Sequence, residues 1–393
     1  MTHTPKGFRF ATTGACFRKP GRDDLALVVS DTPAVAAGVF TTNRFVAAPV
    51  TVARDRLTAR PEARAVVINA GQANACTGDE GITNCLATLD MVAKATGLAA
   101  ADILPASTGV IGAQLRMDLW QAAAPALAAT LGQRSPEGFA KAIMTTDAFP
   151  KFASREVALS GGPVRLVGMA KGAGMICPNM ATMLSVVLCD AGVTAPEWQQ
   201  LFRDAVDRTF NRVTVDGDTS TNDTVFGLAN GASGVVASPA DMQILGAALT
   251  EVLADLAYML VQDGEGATKV LRINVTGAAT PADAEAVART VGHSQLVKTA
   301  MYGRDANWGR IVAAVGRSGA DFRAEDVVVR LCGVELFRSG QPTSIDFDAL
   351  LAEPLKGRDV TIDIALGNGT AAYELLASDL THDYVSCNAD YRS

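Results

Sequence analysis

Histidine is nearly missing from this 393-residue chain: His3, His293 and His382 are the whole supply. A Ser-His-Asp or Cys-His catalytic unit therefore has few candidates for its base, and an isolated histidine is most often structural. The seven cysteines are odd in number, scattered and without a CxxC pair, which fits neither a disulfide framework nor a zinc site. Each reads as a small buried hydrophobe. There is no GxxxxGK[ST] phosphate loop, no GxSxG nucleophile elbow and no HExxH. The nearest dinucleotide-like string, Gly172-Ala173-Gly174-Met175-Ile176-Cys177, lacks its third glycine. Residues 216–223 (DGDTSTND) begin like a calcium loop. They have Thr221 at the sixth position, where glycine is needed, and Gly227 stands at the twelfth, where glutamate is needed. This segment reads as a capped polar loop, and no metal site is expected.

Other absences bound the class. No apolar run approaches the roughly 18 residues that suggest a membrane span. A net charge of -7 with no long basic run argues against nucleic acid as a partner. The first ten residues, MTHTPKGFRF, hold no hydrophobic stretch of the secretory kind, so a cytoplasmic setting is the expectation. The length fits two or three domains or one large one, and with no repeat of fixed period and no Pro/Ser-rich linker no boundary is obvious. With 49% hydrophobic residues, the chain is globular rather than disordered.

What is present is an Ala- and Gly-rich alternation of short β-branched runs with longer helical patterns. Residues 64–69 (RAVVIN) predict a buried strand ending in the turn Ala70-Gly71-Gln72-Ala73-Asn74, followed by a helix with Ile82, Cys85, Leu86, Leu89 and Val92 on one face. Residues 103–112 predict a second strand running into a Gly-containing loop. Helices are expected around 119–131 and from Ser135-Pro136-Glu137 to Met144. A hairpin is expected with arms at 152–159 and 164–169. Thr194-Ala195-Pro196-Glu197 has capping-box spacing ahead of the stripe Trp198, Leu201, Phe202, Ala205, Val206 and Phe210. Residues 239–262 predict a long amphipathic helix, and strands are expected at 212–215, 270–275, 311–315, 327–331 and 360–365. The fold class is mixed α/β.

Residues 171–190 (KGAGMICPNMATMLSVVLCD) stand apart. The first half is Gly-rich and irregular; the second, from Met183 to Cys189, is an apolar run of strand length. Between them lies Ala181-Thr182. A threonine here is by default a strand-start residue. It also has a chemical reading. A Thr hydroxyl is a weak nucleophile that needs an adjacent base. If the chain is cut just before it, the new α-amine, with an ordinary pKa of about 7.7–8.0, becomes that base. The hydroxyl can make the cut itself by attacking the preceding carbonyl and forming an ester that water releases. A small preceding residue and a Gly/Pro-rich approach suit this. Such a centre performs acyl transfer without histidine.

Around this junction the chain resembles the ornithine acetyltransferase (ArgJ) family. Lys171-Gly172-Ala173-Gly174-Met175-Ile176 and Pro178-Asn179-Met180-Ala181-Thr182-Met183-Leu184 carry its signature. Further matching blocks lie at 69–74, 107–112, 144–147, 216–223, 263–266, 305–310 and 388–393, nearly the whole chain. The resemblance implies a precursor that cleaves itself between Ala181 and Thr182, giving an α chain (1–181) and a β chain (182–393) that both contribute to one site. It implies a self-processing amidopeptidase-like fold with sheets sandwiched between helix layers. It also implies acetyl transfer from N-acetylornithine to glutamate through acetyl-Thr182, without a cofactor.

Residue by residue, the resemblance makes Thr182 the nucleophile and Thr108 and Gly109 the oxyanion hole. Thr145, Lys171, Thr182, Glu265, Asn388 and Ser393 become substrate-binding residues, with an offset from Thr145 to Thr146 left open. Cys177 reads as a neutral filler, and the 216–223 and 305–310 blocks as structural support. A heterotetramer of two α and two β chains is implied. Whether acetyl-CoA serves as a second donor stays open, since no compact CoA motif is visible. The competing readings are a hydrolase of the same self-processing type and a specialised-metabolism relative with another acyl acceptor.

Overall fold

The computed structural model describes residues 3–17, 20–177 and 183–390. The architecture is mixed α/β. Within these residues the chain forms two compact units, the first from Met1–Asn211 and Asp218–Leu260, the second from Arg212–Gly217 and Val261–Tyr391. The chain crosses between units around residues 211–218 and 260, without any linker composition to mark the crossings.

The first unit is built on an eight-stranded sheet: β1 (Phe8–Thr13), β2 (Leu25–Phe40), β3 (Glu62–Gln72), β4 (Ile103–Val110), β5 (Lys151–Leu159), β6 (Gly162–Lys171), β7 (Leu184–Cys189) and β9 (Thr224–Ala229). Its order is β4-β3-β2-β9-β7-β6-β5, with β1 paired to β2. The β3–β4 and β7–β9 pairs are parallel and the others antiparallel. The first part of the 16-residue β2, Leu25–Ser30, pairs with β1 and its last part, Val35–Phe40, with β9, while its register against β3 shifts between Val29 and Ala34.

Side-chain alternation along the strands sorts two cores. Leu25, Leu27, Val29, Ala65 and Val67 point to one face and pack with Cys85, Leu89 and Val92 of α2 (Gly78–Thr96) and Trp120 and Leu127 of α3 (Met117–Ala129). Ala26, Val28, Val66 and Ile68 join Val167, Met169, Val186 and Phe226 in the other. Leu86, placed by periodicity on the buried face of α2, is instead exposed. α1 (Ala48–Ala59) and α4 (Pro136–Ala142) also belong to this unit, and Ser135 caps α4 by accepting the Gly138 N–H.

The capping box predicted at Thr194 forms, with Glu197 Oε2 accepting from the Thr194 hydroxyl at 2.6 Å, and opens α5 (Ala195–Arg208). Glycines let helices approach the sheet closely. A Cβ on Gly168 would lie 2.7 Å from Leu256 Cδ1 of α6 (Asp241–Gln262), and one on Gly227 would lie 2.5 Å from the Phe202 ring of α5. By length and composition α6 could cross a membrane, which corrects the expectation that no segment qualifies. Its Leu245, Leu249, Val252, Leu253 and Leu256 are fully buried in the protein, and Glu251 and Asp255 pair with Arg155. It is a core helix here.

The second unit holds a seven-stranded sheet, ordered β13-β12-β11-β14-β10-β15-β8. Its strands are β8 (Val213–Thr214), β10 (Val270–Ala278), β11 (Val328–Leu331), β12 (Val334–Arg338), β13 (Gln341–Pro342), β14 (Asp359–Ala365) and β15 (Ala371–Ser378). α7 (Pro281–Gly292), α8 (Gln295–Tyr302) and α9 (Trp308–Gly316) pack their Val287, Val291, Val297, Met301 and Ile311 with the strands' Ile273, Val275, Ile362 and Leu375 in one core. The strand expected at 311–315 is part of α9. Asn307 caps that helix by accepting the Arg310 N–H, and Ile311, Ala314 and Val315 fall at helical spacing on its buried face. α10 (Phe347–Leu351) and α11 (His382–Asp390) follow.

Candidate active site

Strand ends in the first unit bring several of the expected residues together. β3 and β4 run parallel with Ala70 opposite Thr108 and Gly71 opposite Gly109. Gly109 has φ +134°, a region closed to most side chains, and a Cβ there would collide with the Gly71 carbonyl carbon and lie 2.5 Å from Gln72 N. Only glycine fits. Thr108 is buried, and Lys171 at the end of β6 donates from Nζ to its Oγ1 at 3.4 Å. A buried ammonium is tolerated only with compensating groups, and Asp147 supplies charge of the opposite sign. Its Oδ1 accepts from Lys151 Nζ at 2.7 Å and from the Gly172 N–H at 2.6 Å, and its Oδ2 accepts the Thr145 N–H at 2.9 Å. Burial alone pushes this carboxyl up, but the Lys171 and Lys151 charges and its hydrogen bonds bring it down to about 2. One ionised carboxylate thus ties the half-buried Thr145 turn to the chain that follows Lys171.

The 216–223 loop closes the site from another side. Asn222 Nδ2 donates to Ala73 O at 2.6 Å and to Ser107 O at 2.9 Å, which clamps the ends of β3 and β4. Thr41 donates from its hydroxyl to Ser220 O and from its amide to Asp223 O, while Thr219 donates from its hydroxyl to Cys177 O. This is the hydrogen-bonded polar loop expected. Asp223 is fully buried. Its Oδ1 accepts the Met183 N–H at 2.9 Å, and burial pushes the carboxyl well above the usual range despite that bond and the Lys171 charge. Thr108, Lys171, Met183, Leu184, Ser220, Asn222 and Asp223 line one small cleft. Residues from both sides of the expected cut meet in it.

In the second unit, Glu265 and Asn388 meet: Asn388 Nδ2 donates to Glu265 Oε2 at 2.8 Å. The approach depends on Gly266, with φ +67°, because a Cβ there would lie 2.6 Å from Tyr384 N at the start of α11. The Thr381 hydroxyl donates to Gly266 O and accepts from Tyr384 N–H, holding the turn against the helix. Glu265 is half-buried and Asn388 exposed. Ala181, Thr182 and Ser393 lie outside the described residues.

Two members of the cluster, Asp147 and Asp223, were absent from the sequence-derived site. Asp147 closes the Met144-Thr145-Thr146-Asp147 block and Asp223 closes the 216–223 block, so the block boundaries were the only signal available.

The ArgJ family profile matches residues 9–393. The chain is 78% identical over 393 residues, covering all of both chains, to the arginine biosynthesis bifunctional protein ArgJ of Nitratidesulfovibrio vulgaris. It is 45% identical over 403 residues to the protein of the same name from Thermosynechococcus vestitus, covering 98% of this chain and 96% of that one. Among solved structures, the ArgJ of Bacillus halodurans aligns with 37% identity and a TM-score of 0.49, over 51% of this chain and 96% of that chain.

Proposed function

The chain belongs to the ArgJ family, and from that premise we propose that it cleaves itself before Thr182 and then carries acetyl groups on the Thr182 hydroxyl. It is an acetyltransferase of arginine biosynthesis, bifunctional like the relatives it matches. In the first half-reaction Thr182 Oγ bonds to the acetyl carbon of N-acetylornithine, its proton passes to the Thr182 amine, and the C–N bond breaks as ornithine takes the proton and leaves. In the second, the amine of glutamate attacks the acetyl ester, giving N-acetylglutamate and restoring the hydroxyl. This is ping-pong transfer. Thr108 and the Gly109 N–H face the oxyanion of each tetrahedral intermediate, where a fixed donor contributes about 3–4 kcal/mol.

Lys171 and Thr145 serve the substrate in this reading, joined by Glu265, Asn388 and Ser393 for its carboxylate and amine ends. Acetyl-CoA is the second donor, a substrate rather than a resident cofactor. The mature form is two α and two β chains in the cytoplasm.

The pairing at the junction supports this reading. β6 ends at Lys171 and β7 begins at Leu184, and these two residues are opposite each other in an antiparallel pair. A scission between these two positions leaves Lys171 and Leu184 themselves paired in the sheet. On a denaturing gel the wild type should give fragments of 181 and 212 residues (393 − 181 = 212). Thr182→Ala should remain a single inactive chain, and brief exposure to N-acetylornithine should acetylate the fragment beginning at Thr182. An Ala variant that still splits and still transfers acetyl groups overturns the proposal.

A further inference from the structure

A cavity of about 570 Å³ opens in the first unit, lined by the loop between β1 and β2, by α4 and by residues on either side of α4. Its volume falls in the range of roughly 300–1,000 Å³ typical of small-molecule sites. The acetyl transfer described above gives it no role. The loop is held firmly from its far end. Asp24 Oδ1 accepts the Ala15 N–H at 2.6 Å, and its Oδ2 accepts the Phe17 N–H at 2.7 Å. Gly14 lets the two arms of the loop come together, since a Cβ there would lie 2.9 Å from Arg22 O.

Arg22, Arg134 and Lys141 line the cavity against a single carboxylate, Asp23, so its walls carry a positive surplus in a chain of net charge -7. The hydrogen bonds around it leave that surplus in place. Asp23 Oδ2 accepts the hydroxyl of the buried Thr12 at 2.6 Å, and Thr12 Oγ1 accepts from Arg134 Nε at 3.1 Å. This chain steadies the guanidinium, whose Nη groups have no partner among the described residues. Arg22 donates from Nη2 to Met144 O, a neutral acceptor. Lys141 has no hydrogen bond or ion pair among the described residues.

Cations gathered round one cavity repel one another, and a bound anion relieves that repulsion. A guanidinium fork grips phosphate or carboxylate with two parallel hydrogen bonds, and an ammonium adds a point charge. Two forks and an ammonium against one acid suit a multiply charged group better than a lone carboxylate. We propose that this cavity binds the phosphate groups of an organic ligand through Arg22, Arg134 and Lys141. Its volume far exceeds what a bare phosphate ion fills, so the ligand has an organic body. Two sources present this chemistry: the nucleotide end of acetyl-CoA, and a free organophosphate acting as an effector. Met144 puts either one next to the Thr145 turn. Its carbonyl accepts from Arg22, and the N–H of the following residue, Thr145, is tied to Asp147. The first source rests on the reading of acetyl-CoA as second donor; the phosphate site does not.

Calorimetric titration of the purified full-length protein with coenzyme A, ADP and inorganic phosphate tests this, in the wild type and in Arg134→Gln/Lys141→Gln. Both side chains are exposed and outside the transfer site. The variant should therefore exchange acetyl groups between N-acetylornithine and glutamate at the wild-type rate, which also shows that it is folded. The wild type should bind coenzyme A and ADP, more weakly at 500 mM salt than at 50 mM because the contacts are screened. Inorganic phosphate should bind less tightly than either. The variant should lose about 10-fold or more in affinity for both organic probes, the loss expected when charge-assisted hydrogen bonds are removed.

Steady-state kinetics separates the two sources. A matching rise in KM for acetyl-CoA, an unchanged KM for N-acetylornithine and competition between ADP and acetyl-CoA assign the cavity to the donor. An equal KM for acetyl-CoA in both proteins, with ADP binding still lost in the variant, assigns it to a free ligand. A wild type that binds neither coenzyme A nor ADP overturns the proposal, and so does equal binding by both proteins. A protein that binds ADP through these residues but never acetylates glutamate from acetyl-CoA keeps the phosphate site and removes the second-donor reading. If the double variant does not fold, Lys141→Glu, at an exposed position without a partner, carries the same comparison.

Discussion

Replacing Asp147 by Asn should destabilise the first unit more than any other single isosteric change near the site. The carboxylate accepts three donors: Lys151 Nζ and the Gly172 N–H on one oxygen, and the Thr145 N–H on the other. Asparagine offers one acceptor oxygen, so its amide group must turn two N–H donors toward either Thr145 or the Lys151–Gly172 pair. Lys151 and Lys171 are both buried, and the substitution deletes the negative charge between them. The carboxyl is held at about 2, against 3.8 for the free group. At 1.36 kcal/mol per unit this corresponds to roughly 2 kcal/mol of native-state preference for the ionised form. Breaking a buried ion pair from one side costs about 3–5 kcal/mol, which sets the expected loss at pH 7.

The sign with pH follows from the depressed folded value. The contribution is present in full above pH 4 and disappears as pH falls through about 2, so the gap between wild type and variant should narrow from pH 7 to pH 3. Urea unfolding in the Thr182→Ala background, where the chain stays in one piece, measures it without a dissociation step. A second readout is kinetic: in the cleaved enzyme, KM for both amino-acid substrates should rise, because Thr145 and the turn after Lys171 lose their common anchor. A loss below about 1 kcal/mol, or a gap that does not change with pH, would refute the account of Asp147 as the ionised centre of this cluster.

Lys171→Met should leave a folded protein and raise KM for the amino-acid substrates by the equivalent of about 2–5 kcal/mol, the cost of removing one partner from a buried charged contact; unchanged steady-state kinetics would remove Lys171 from the site. Gly109→Ala should lower kcat at least 100-fold, since its Cβ would push β4 away from Gln72 N and displace the Gly109 N–H; an Ala variant with normal kcat would separate this strand end from the chemistry. Asn388→Asp places a second carboxylate against Glu265 in a largely exposed setting, where charge effects amount to about 0.2–1 kcal/mol. A rise of a few-fold in KM for N-acetylornithine is expected, and an unaltered KM would mean that the Glu265–Asn388 pair does not touch the substrate.

The strands that alternate or run continuously apolar were legible in the sequence: residues 64–69 lie in β3, 103–110 form β4, and both arms of the 152–169 hairpin are paired. Others were not. Ile311-Val312-Ala313-Ala314-Val315 is β-branched at three of its five positions and short, so its strand-like composition competes with its helical spacing. The cap at Asn307 and the burial of Ile311, Ala314 and Val315 decide for the helix. Leu86 fits the period of α2 but sits at the edge of its buried stripe, where a rotation of a few tens of degrees separates inside from outside.

The site divides in the same way. Thr108, Gly109 and Lys171 belong to matched blocks and meet at strand ends. Asp147 and Asp223 become informative only when β4, β6 and the 216–223 loop converge, because hydrogen bonds spanning 25 and 40 residues leave no period to read.

The pairing of the strands on either side of residues 172–183 explains why the proposed cut would leave the sheet intact. The piece ending at residue 181 supplies β1 to β6, and the piece starting at 182 supplies β7 and β9. In the sheet these two strands stand between β6 and β2: Leu166–Lys171 pair with Leu184–Cys189, β7 pairs with β9 from Leu184 to Cys189, and β9 pairs with Val35–Phe40 of β2. Either piece alone would present long apolar strands with unpaired edges, the arrangement most prone to aggregation. The sheet therefore has to be assembled while the chain is continuous. Assembly is also what brings Thr108, Lys171 and Asp223 into one cleft with Met183. Under the proposed cleavage, folding would come first, and the pairing of β6 with β7 and of β9 with β2 would keep the two pieces in one sheet.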